Sequence, residues 1–282
     1  MEKIKVVQKN WDGILYPVSH RKDKVMIVMS GSEGGLEHAG KLARFLQDQG
    51  IPALAFGYFK TKHTKKTLDR IPLEIVQEAL LWLKNEGYEK VGIEGVSKGA
   101  EYALAAAIAF PQISCVIVKT PSWFYSEGLR KGQPSGTSCW SYQGKALPFT
   151  PYKIRKFHIL QTLWEAKEYH LLKFNTGKDI QSDSVIPVEK INGPILMLSV
   201  AKDTIWPSKE SAELMSQRLE QKGFSYPFKH ICYEHMSHMM LEYCGSEIKY
   251  FIKSERAYPL QCQKERQEMG MACVEWIEKV WK

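Results

Sequence analysis

The sequence predicts an α/β fold with a mostly parallel central sheet flanked by helices. Two observations carry that expectation. Short β-prone runs alternate with helical runs along most of the 282 residues, the pattern of repeated βα units. Several of the β-prone runs are also largely apolar: Lys24–Met29, Ile113–Val118 and Pro194–Val200. Strands covered by helices on both faces read this way. The composition, 44% hydrophobic and 25% charged, suits a globular chain with a substantial core. Residues 1–282 are therefore read as one α/β domain.

The elements follow in order. Lys3–Gln8 and Gly13–Tyr16 are expected to open the chain as an antiparallel pair. Lys24–Met29 is a buried strand ended by Gly31-Ser-Glu-Gly-Gly35, and Leu36–Gln49 is a helix with Gly50 as its stop signal. Ala53–Phe56 is a strand. Pro72 is expected at the first position of a helix, with apolar residues following at Leu73, Ile75, Val76, Leu80, Leu81 and Leu83 and Gly87 ending it. Glu89–Glu94 is a strand that runs into a helix of good helix formers, Ala100–Phe110, closed by Pro111. After the strand Ile113–Val118 the rhythm stops. It resumes with the strand Pro194–Val200, the helix Lys209–Gln221, the strand His230–Tyr233 and an amphipathic helix Glu265–Val280. No internal repeat is visible.

Residues 121–190 break the alternation and are expected to form an aromatic-rich cap or lid insertion. Between 121 and 174 they carry Trp123, Phe124, Tyr125, Trp140, Tyr142, Phe149, Tyr152, Phe157, Trp164, Tyr169 and Phe174. Such rings either form the small core of a peripheral subdomain or line a substrate pocket, and pockets are mostly apolar and aromatic.

Composition excludes some classes. No run of 18 apolar residues suggests a transmembrane helix. The first residues alternate like a strand and lack the apolar core of a signal peptide. Six scattered cysteines form no C-x-x-C pair. Cys115 and Cys232 are expected to act as small core residues, and a reducing cytoplasm fits better than a disulfide framework. The formal charge of +8 is compatible with an anionic substrate but is read chiefly as a solvated surface. The run Lys60-Thr-Lys-His-Thr-Lys-Lys66 is likewise read as a solvated loop, with phosphate contact the sharper alternative. No nucleic-acid motif accompanies it.

The chemistry centres on Gly95-Val96-Ser97-Lys98-Gly99, a G-x-S-x-G run between a strand and a helix. In that context it reads as a nucleophile elbow, whose sharp turn tolerates no Cβ at the two glycines. A serine needs a base, and the base needs a carboxylate to hold its tautomer. In α/β-hydrolases the order is Ser, acid, His, each in a loop after a strand. Asp203 follows the strand 194–200 and His238 follows the strand 230–233. Ser97, Asp203 and His238 are thus the expected catalytic residues. His235 is a rival base, and Asp179 and Asp183 are rival acids that look like loop residues. An H-x-x-H metal site is rejected for want of further ligands, so neither a metal nor a cofactor is expected. Backbone N–H groups of Lys98 and Ser32, with Glu33 next, are expected to form the oxyanion hole.

These residues resemble a family. The elbow Gly95-Val-Ser-Lys-Gly-Ala-Glu101 is similar to that of the acyl-CoA thioesterase and bile-acid-CoA:amino-acid N-acyltransferase C-terminal domain, a dienelactone-hydrolase-like branch of the α/β-hydrolases. Gly31–Leu36, Ser141–Pro148, Ile186–Ile195, the loop Asp203–Trp206 and His238 look similar too, over roughly 10–245. The resemblance implies a serine-type acyl-enzyme mechanism on thioester-like substrates, with Ser97, Asp203 and His238 on the triad positions. Eukaryotic members carry an additional N-terminal β-sandwich domain, for which this chain has no room. Three residues depart from the pattern: Glu94 stands where the family's strand is apolar, Glu33 where glycine is usual, and His235 where a small residue is usual. Glu33, Trp123, Trp206 and His235 are the substrate-pocket candidates, and the two glutamates are expected either to line the pocket or to be satisfied by Lys98 or Lys90.

The expected activity is hydrolysis of an ester or thioester, acyl-CoA-like, through an acyl-enzyme on Ser97. The alternative is acyl transfer to an amine or alcohol, and a remote alternative is a non-catalytic fold that binds a small ligand. The expected partner is a small acyl ester or thioester, with neither nucleic acid nor stable membrane association. Oligomeric state is not readable from the residues.

Overall fold

The computed structural model describes residues 2–153, 180–203, 205–243 and 248–282. Its centre is an eight-stranded sheet. In chain order the strands are β1 (Ile4–Val7), β2 (Asp12–Tyr16), β3 (Lys24–Met29), β4 (Ala53–Gly57), β5 (Lys90–Val96), β6 (Ile113–Lys119), β7 (Ile195–Val200) and β8 (Phe228–Tyr233). They lie side by side as β1-β2-β4-β3-β5-β6-β7-β8. The opening pair is antiparallel, with Ile4 opposite Leu15, and β2 runs antiparallel to β4. From β4 to β8 every pairing is parallel.

The largely apolar strands conceal a period of two. Val25, Ile27 and Met29 of β3 face one core with Ile93, Val116, Val118, Ile195 and Met197. Two helices, α2 (Glu74–Asn85) and α3 (Lys98–Ala109), and a third, α4 (Ser208–Gln221), cover that face. Met26 and Val28 face the other core with Ala53, Ala55, Ile117, Leu196 and Leu198. There α1 (Glu37–Asp48) and α5 (Pro259–Glu275) close the layer. Successive side chains point to opposite faces, so a strand buried on both sides must be apolar throughout.

Three expectations need correction. Pro72 does not open a helix. Ile71–Pro72 pairs in parallel with Trp140–Ser141, and α2 starts at Glu74 after Leu73 donates its N–H to the Ser141 carbonyl. Cys232 is exposed rather than in the core, because β8 is an edge strand with one unpaired side. The C-terminal helix begins at Pro259, earlier than its periodicity suggests, and its tail Trp276–Val280 is a π-helical turn. Of the aromatics expected to cap the molecule, Trp140 and Tyr125 are buried in the α2/α3 core. Trp140 packs edge-on to Tyr102 of α3 at 5.1 Å. Phe157, Trp164, Tyr169 and Phe174, with Asp179, lie outside the described residues.

Candidate active site

Ser97 sits between β5 and α3 at φ 57° and ψ −118°. A non-glycine residue with positive φ is strained, at a cost of roughly 1–3 kcal/mol, and persists only where its surroundings over-determine it. Those surroundings are explicit. A Cβ on Gly95 would lie 2.1 Å from the carbonyl oxygen of Gly99, and a Cβ on Gly99 would lie 2.3 Å from the carbonyl oxygen of Ser30. The strand, the helix and the end of β3 therefore meet backbone to backbone, leaving one path for the turn. The Ser97 N–H donates to the Lys119 carbonyl at 2.9 Å, which ties the turn to β6.

Three sequence-predicted residues meet here. His238 Nε2 is 2.8 Å from Ser97 Oγ, and His238 Nδ1 is 2.8 and 2.9 Å from the two oxygens of Asp203. Asp203 is held in turn by the N–H groups of Ile205 and Trp206, which donate to its Oδ1 at 2.9 and 3.2 Å. All three side chains are nearly buried, so the carboxylate faces an imidazole rather than solvent. A hydroxyl, an imidazole and a fixed carboxylate in line can move a proton from the hydroxyl to the ring.

The turn expected to supply an oxyanion donor lies beside Ser97, a Cβ on its Gly31 falling 3.2 Å from Ser97 Cβ. Lys98 is the first residue of α3, so its N–H has no intrahelical acceptor. Beside it, residues 31–34 form a turn closed by the Gly34 N–H on the Gly31 carbonyl at 3.2 Å. The buried Tyr58 hydroxyl steadies this turn by donating toward the Gly31 and Ser30 carbonyls, at 2.8 and 3.2 Å. Ser32 lies on the exposed arm of the turn, and no described residue accepts its N–H.

The pocket candidates separate. Trp206 stands edge-on to the His238 ring with centroids 5.1 Å apart, and its Nε1 donates to the Thr120 carbonyl at 2.9 Å. With Ser122, Phe124, Tyr152 and Pro207 it lines a small, mostly apolar pocket beside the relay. Trp123 packs instead against the α2/α3 core, and its neighbour Phe124 takes the pocket position. Glu33 is exposed beside Ser97 and accepts the Gly31 N–H at 3.0 Å. His235 turns the other way. Its Nδ1 is 2.7 Å from Glu265 of α5, and its ring packs edge-on to Tyr258. It makes no described contact with Ser97. Asp183 lies in a short 3-10 turn, Ser182–Ser184, apart from the relay. In the basic run Lys60–Lys66, Lys65 and Lys66 donate to carbonyls of their own loop, at Arg70 and Thr61 among others.

Glu94 and Lys98 are not partners of each other, nor is Lys90 involved. Glu94 meets Lys119 Nζ at 2.5 Å, and Lys119 also reaches Glu242, all three being buried. Burial pushes the Glu94 carboxyl up, Lys119 opposing this and Glu242 adding to it. Burial alone would pull the Lys119 ammonium down, yet Cys273, Glu242 and Glu94 hold it well above the ordinary lysine range. Lys98 lies in a second cluster with Glu101, Ser126, the Glu127 carbonyl and Cys139. Sequence reasoning misses Lys119, Glu242 and Glu101. The signal available was a charge at the end of an otherwise apolar strand.

The family model described as BAAT / acyl-CoA thioester hydrolase C terminal matches residues 71–244. The chain is 27% identical over 217 residues to acyl-coenzyme A thioesterase 1 of Rattus norvegicus, across 76% of this chain and 48% of that protein. It is also 27% identical to mitochondrial acyl-coenzyme A thioesterase 2 of Homo sapiens, across 76% of this chain and 42% of that one. It thus spans about half the length of the curated relatives it matches. Among solved structures it resembles a putative dienelactone hydrolase of Klebsiella pneumoniae, with TM-score 0.56, 14% identity and 98% of each chain covered. A putative alpha/beta hydrolase of Agrobacterium tumefaciens gives TM-score 0.57 at 11% identity, covering 100% of this chain and 99% of that one. At such identities the likeness is one of fold, and the fold is that of the α/β-hydrolases.

Proposed function

Since this chain belongs to the BAAT / acyl-CoA thioester hydrolase C-terminal family, we propose that it cleaves an acyl ester or acyl-CoA-like thioester through an acyl-enzyme on Ser97. The observation that carries this reading is the hydrogen-bonded line from Asp203 through His238 to Ser97 Oγ. His238 Nε2 takes the serine proton as Oγ bonds to the acyl carbonyl carbon. The carbonyl oxygen becomes an oxyanion, stabilised by the N–H groups of Lys98 and Ser32 at the start of α3 and on the turn after β3. His238 then gives its proton to the departing thiol or alcohol. Water enters, loses a proton to His238, and releases the acid from Ser97. Asp203 fixes the orientation of the ring throughout. Trp206, edge-on to His238, and the adjoining rings of Phe124 and Tyr152 give the acyl group apolar neighbours, around a gap of about 20 Å³ that admits little more than a water.

The cysteines at 115, 139, 232, 262 and 273 are free, in keeping with a reducing, cytoplasmic setting. Among the described residues no helix is long and apolar enough to cross a membrane.

Labelling with a fluorophosphonate probe tests the reading. Wild type is expected to label and Ser97→Ala to be silent, while His238→Ala lowers ester turnover by on the order of 10⁴-fold or more. Labelling that survives Ser97→Ala, or none in wild type, overturns it. Adding glycine or taurine to an acyl-CoA panel separates release to water from transfer to an amine.

A further inference from the structure

The two sides of Ser97 differ in chemistry. On the side of β6 and β7, Trp206 stands against His238 and continues into apolar surface shared with Phe124, Tyr152 and Pro207. Toward β3 stands the Glu33 carboxylate. A Cβ placed on Gly31 would lie 3.0 Å from Glu33 Oε2 and 3.2 Å from Ser97 Cβ, so the carboxylate and the nucleophile flank one point in space. Glu33 Oε1 is engaged, accepting the Gly31 N–H at 3.0 Å. Among the described residues Oε2 has no hydrogen-bond partner. A carboxylate beside an oxyanion hole is unfavourable by itself, because the developing negative charge meets another of the same sign. It is tolerated where the bound molecule brings a donor to it. A hydrocarbon acyl chain has no such donor and is matched by the opposite, apolar wall. The leaving group is what remains to face Glu33.

We propose that Glu33 is a specificity-determining residue that accepts an N–H from the leaving group, and that it selects thioesters whose thiol carries an amide N–H two carbons from the sulfur. The assignment rests on the thioesterase reading above. The short reach between Oε2 and Ser97 fits a donor near the sulfur rather than one at the far end of a long carrier. The hydrogen bond to Gly31 fixes the carboxylate before substrate arrives, so little side-chain freedom is lost on binding.

The test compares three hexanoyl substrates: the thioester of N-acetylcysteamine, which has the amide N–H; the thioester of butanethiol, which lacks it; and the 4-nitrophenyl ester. Glu33→Gln is the informative variant. Its one amide oxygen can still hold the Gly31 N–H, while its NH₂ group replaces the acceptor offered to substrate. The ratio of kcat/KM for N-acetylcysteamine over butanethiol thioester is expected to fall about tenfold or more, the worth of a hydrogen bond to a charged acceptor. Glu33→Ala should lower the same ratio, and unfolding midpoints of both variants check the fold. An unchanged ratio, or an equal loss on all three substrates, overturns the proposal and leaves Glu33 as a brace for the oxyanion turn. If wild type cleaves only the 4-nitrophenyl ester, serine hydrolysis stands and the leaving-group assignment falls.

Discussion

Lys98 and Lys119 flank the elbow, both fully buried, and their surroundings satisfy them in different ways. Lys98 belongs to a closed network. Glu101 Oε1 accepts the Ser126 N–H and Trp140 Nε1, each at 2.7 Å, and Oε2 accepts the Ser126 hydroxyl at 2.6 Å and Lys98 Nζ at 3.3 Å. One cation meets one anion, and every carboxylate oxygen has a donor. Lys119 faces two carboxylates, and Glu94 Oε2 and Glu242 Oε2 have no partner among the described residues. The first network joins α3 to the segment carrying Ser126, Glu127 and Trp140, and so holds the elbow helix in place. The second lies under Ser97, whose N–H rests on the Lys119 carbonyl. Burying charge is costly unless it is paired and hydrogen-bonded, and in the second cluster burial pushes the Glu94 carboxyl up, toward holding a proton.

The sharpest way to break the symmetry is to remove each cation. Lys119→Met strands two buried carboxylates and is expected to destabilise by about 3–5 kcal/mol in chemical denaturation. Replacing the whole cluster, as Glu94→Leu with Lys119→Met and Glu242→Leu, should be neutral or stabilising by about 1–4 kcal/mol, since no charge is left unpaired. Lys98→Met should cost less than Lys119→Met, about 1.5–3 kcal/mol, because Glu101 keeps three donors. If Lys98→Met proves the more damaging of the two, the contrast between the networks is wrong.

The smallest effect is the most diagnostic. The folded-state pKa of Glu94 is raised by its burial. The native protein therefore binds a proton that the unfolded chain gives up near the ordinary carboxylate pKa. Stability from this group is complete below that pKa and is lost as pH climbs through the raised value. Glu94→Gln, which keeps the neutral form's shape, should change stability at low pH by less than about 1 kcal/mol and remove this decline. A series of thermal unfolding midpoints across the acidic and neutral range measures it; a decline that persists in Glu94→Gln assigns it to another group.

The relay is legible in the sequence because it is local. Ser97, Asp203 and His238 each end or follow a strand, and strands of this chain announce themselves as apolar runs. The same logic places the Gly31–Gly35 turn beside the elbow. The ionic clusters are not legible, because they depend on register. Glu94 and Lys119 meet only because β5 and β6 pair with Glu94 opposite Ile117 and Val96 opposite Lys119. Glu242 comes from another part of the chain altogether. His235 misleads for a related reason. Three residues before His238 in a loop, it is as close in sequence as a rival base can be, yet Glu265 of α5 draws it to the opposite side. Pro72 misleads because proline suits a helix start and a strand end equally well, and only the distant Trp140 decides between them.

The backbone at Ser97 has a consequence for how such a chain can change. With φ 57°, the position would be relieved by glycine, the residue that enters that region freely. Among single substitutions there, the one that eases the fold also removes the hydroxyl. Drift under selection for sturdiness alone would run toward an inert protein. On the acyl-enzyme reading the serine is kept against the slope of stability, and a lineage freed from that need should shed it early.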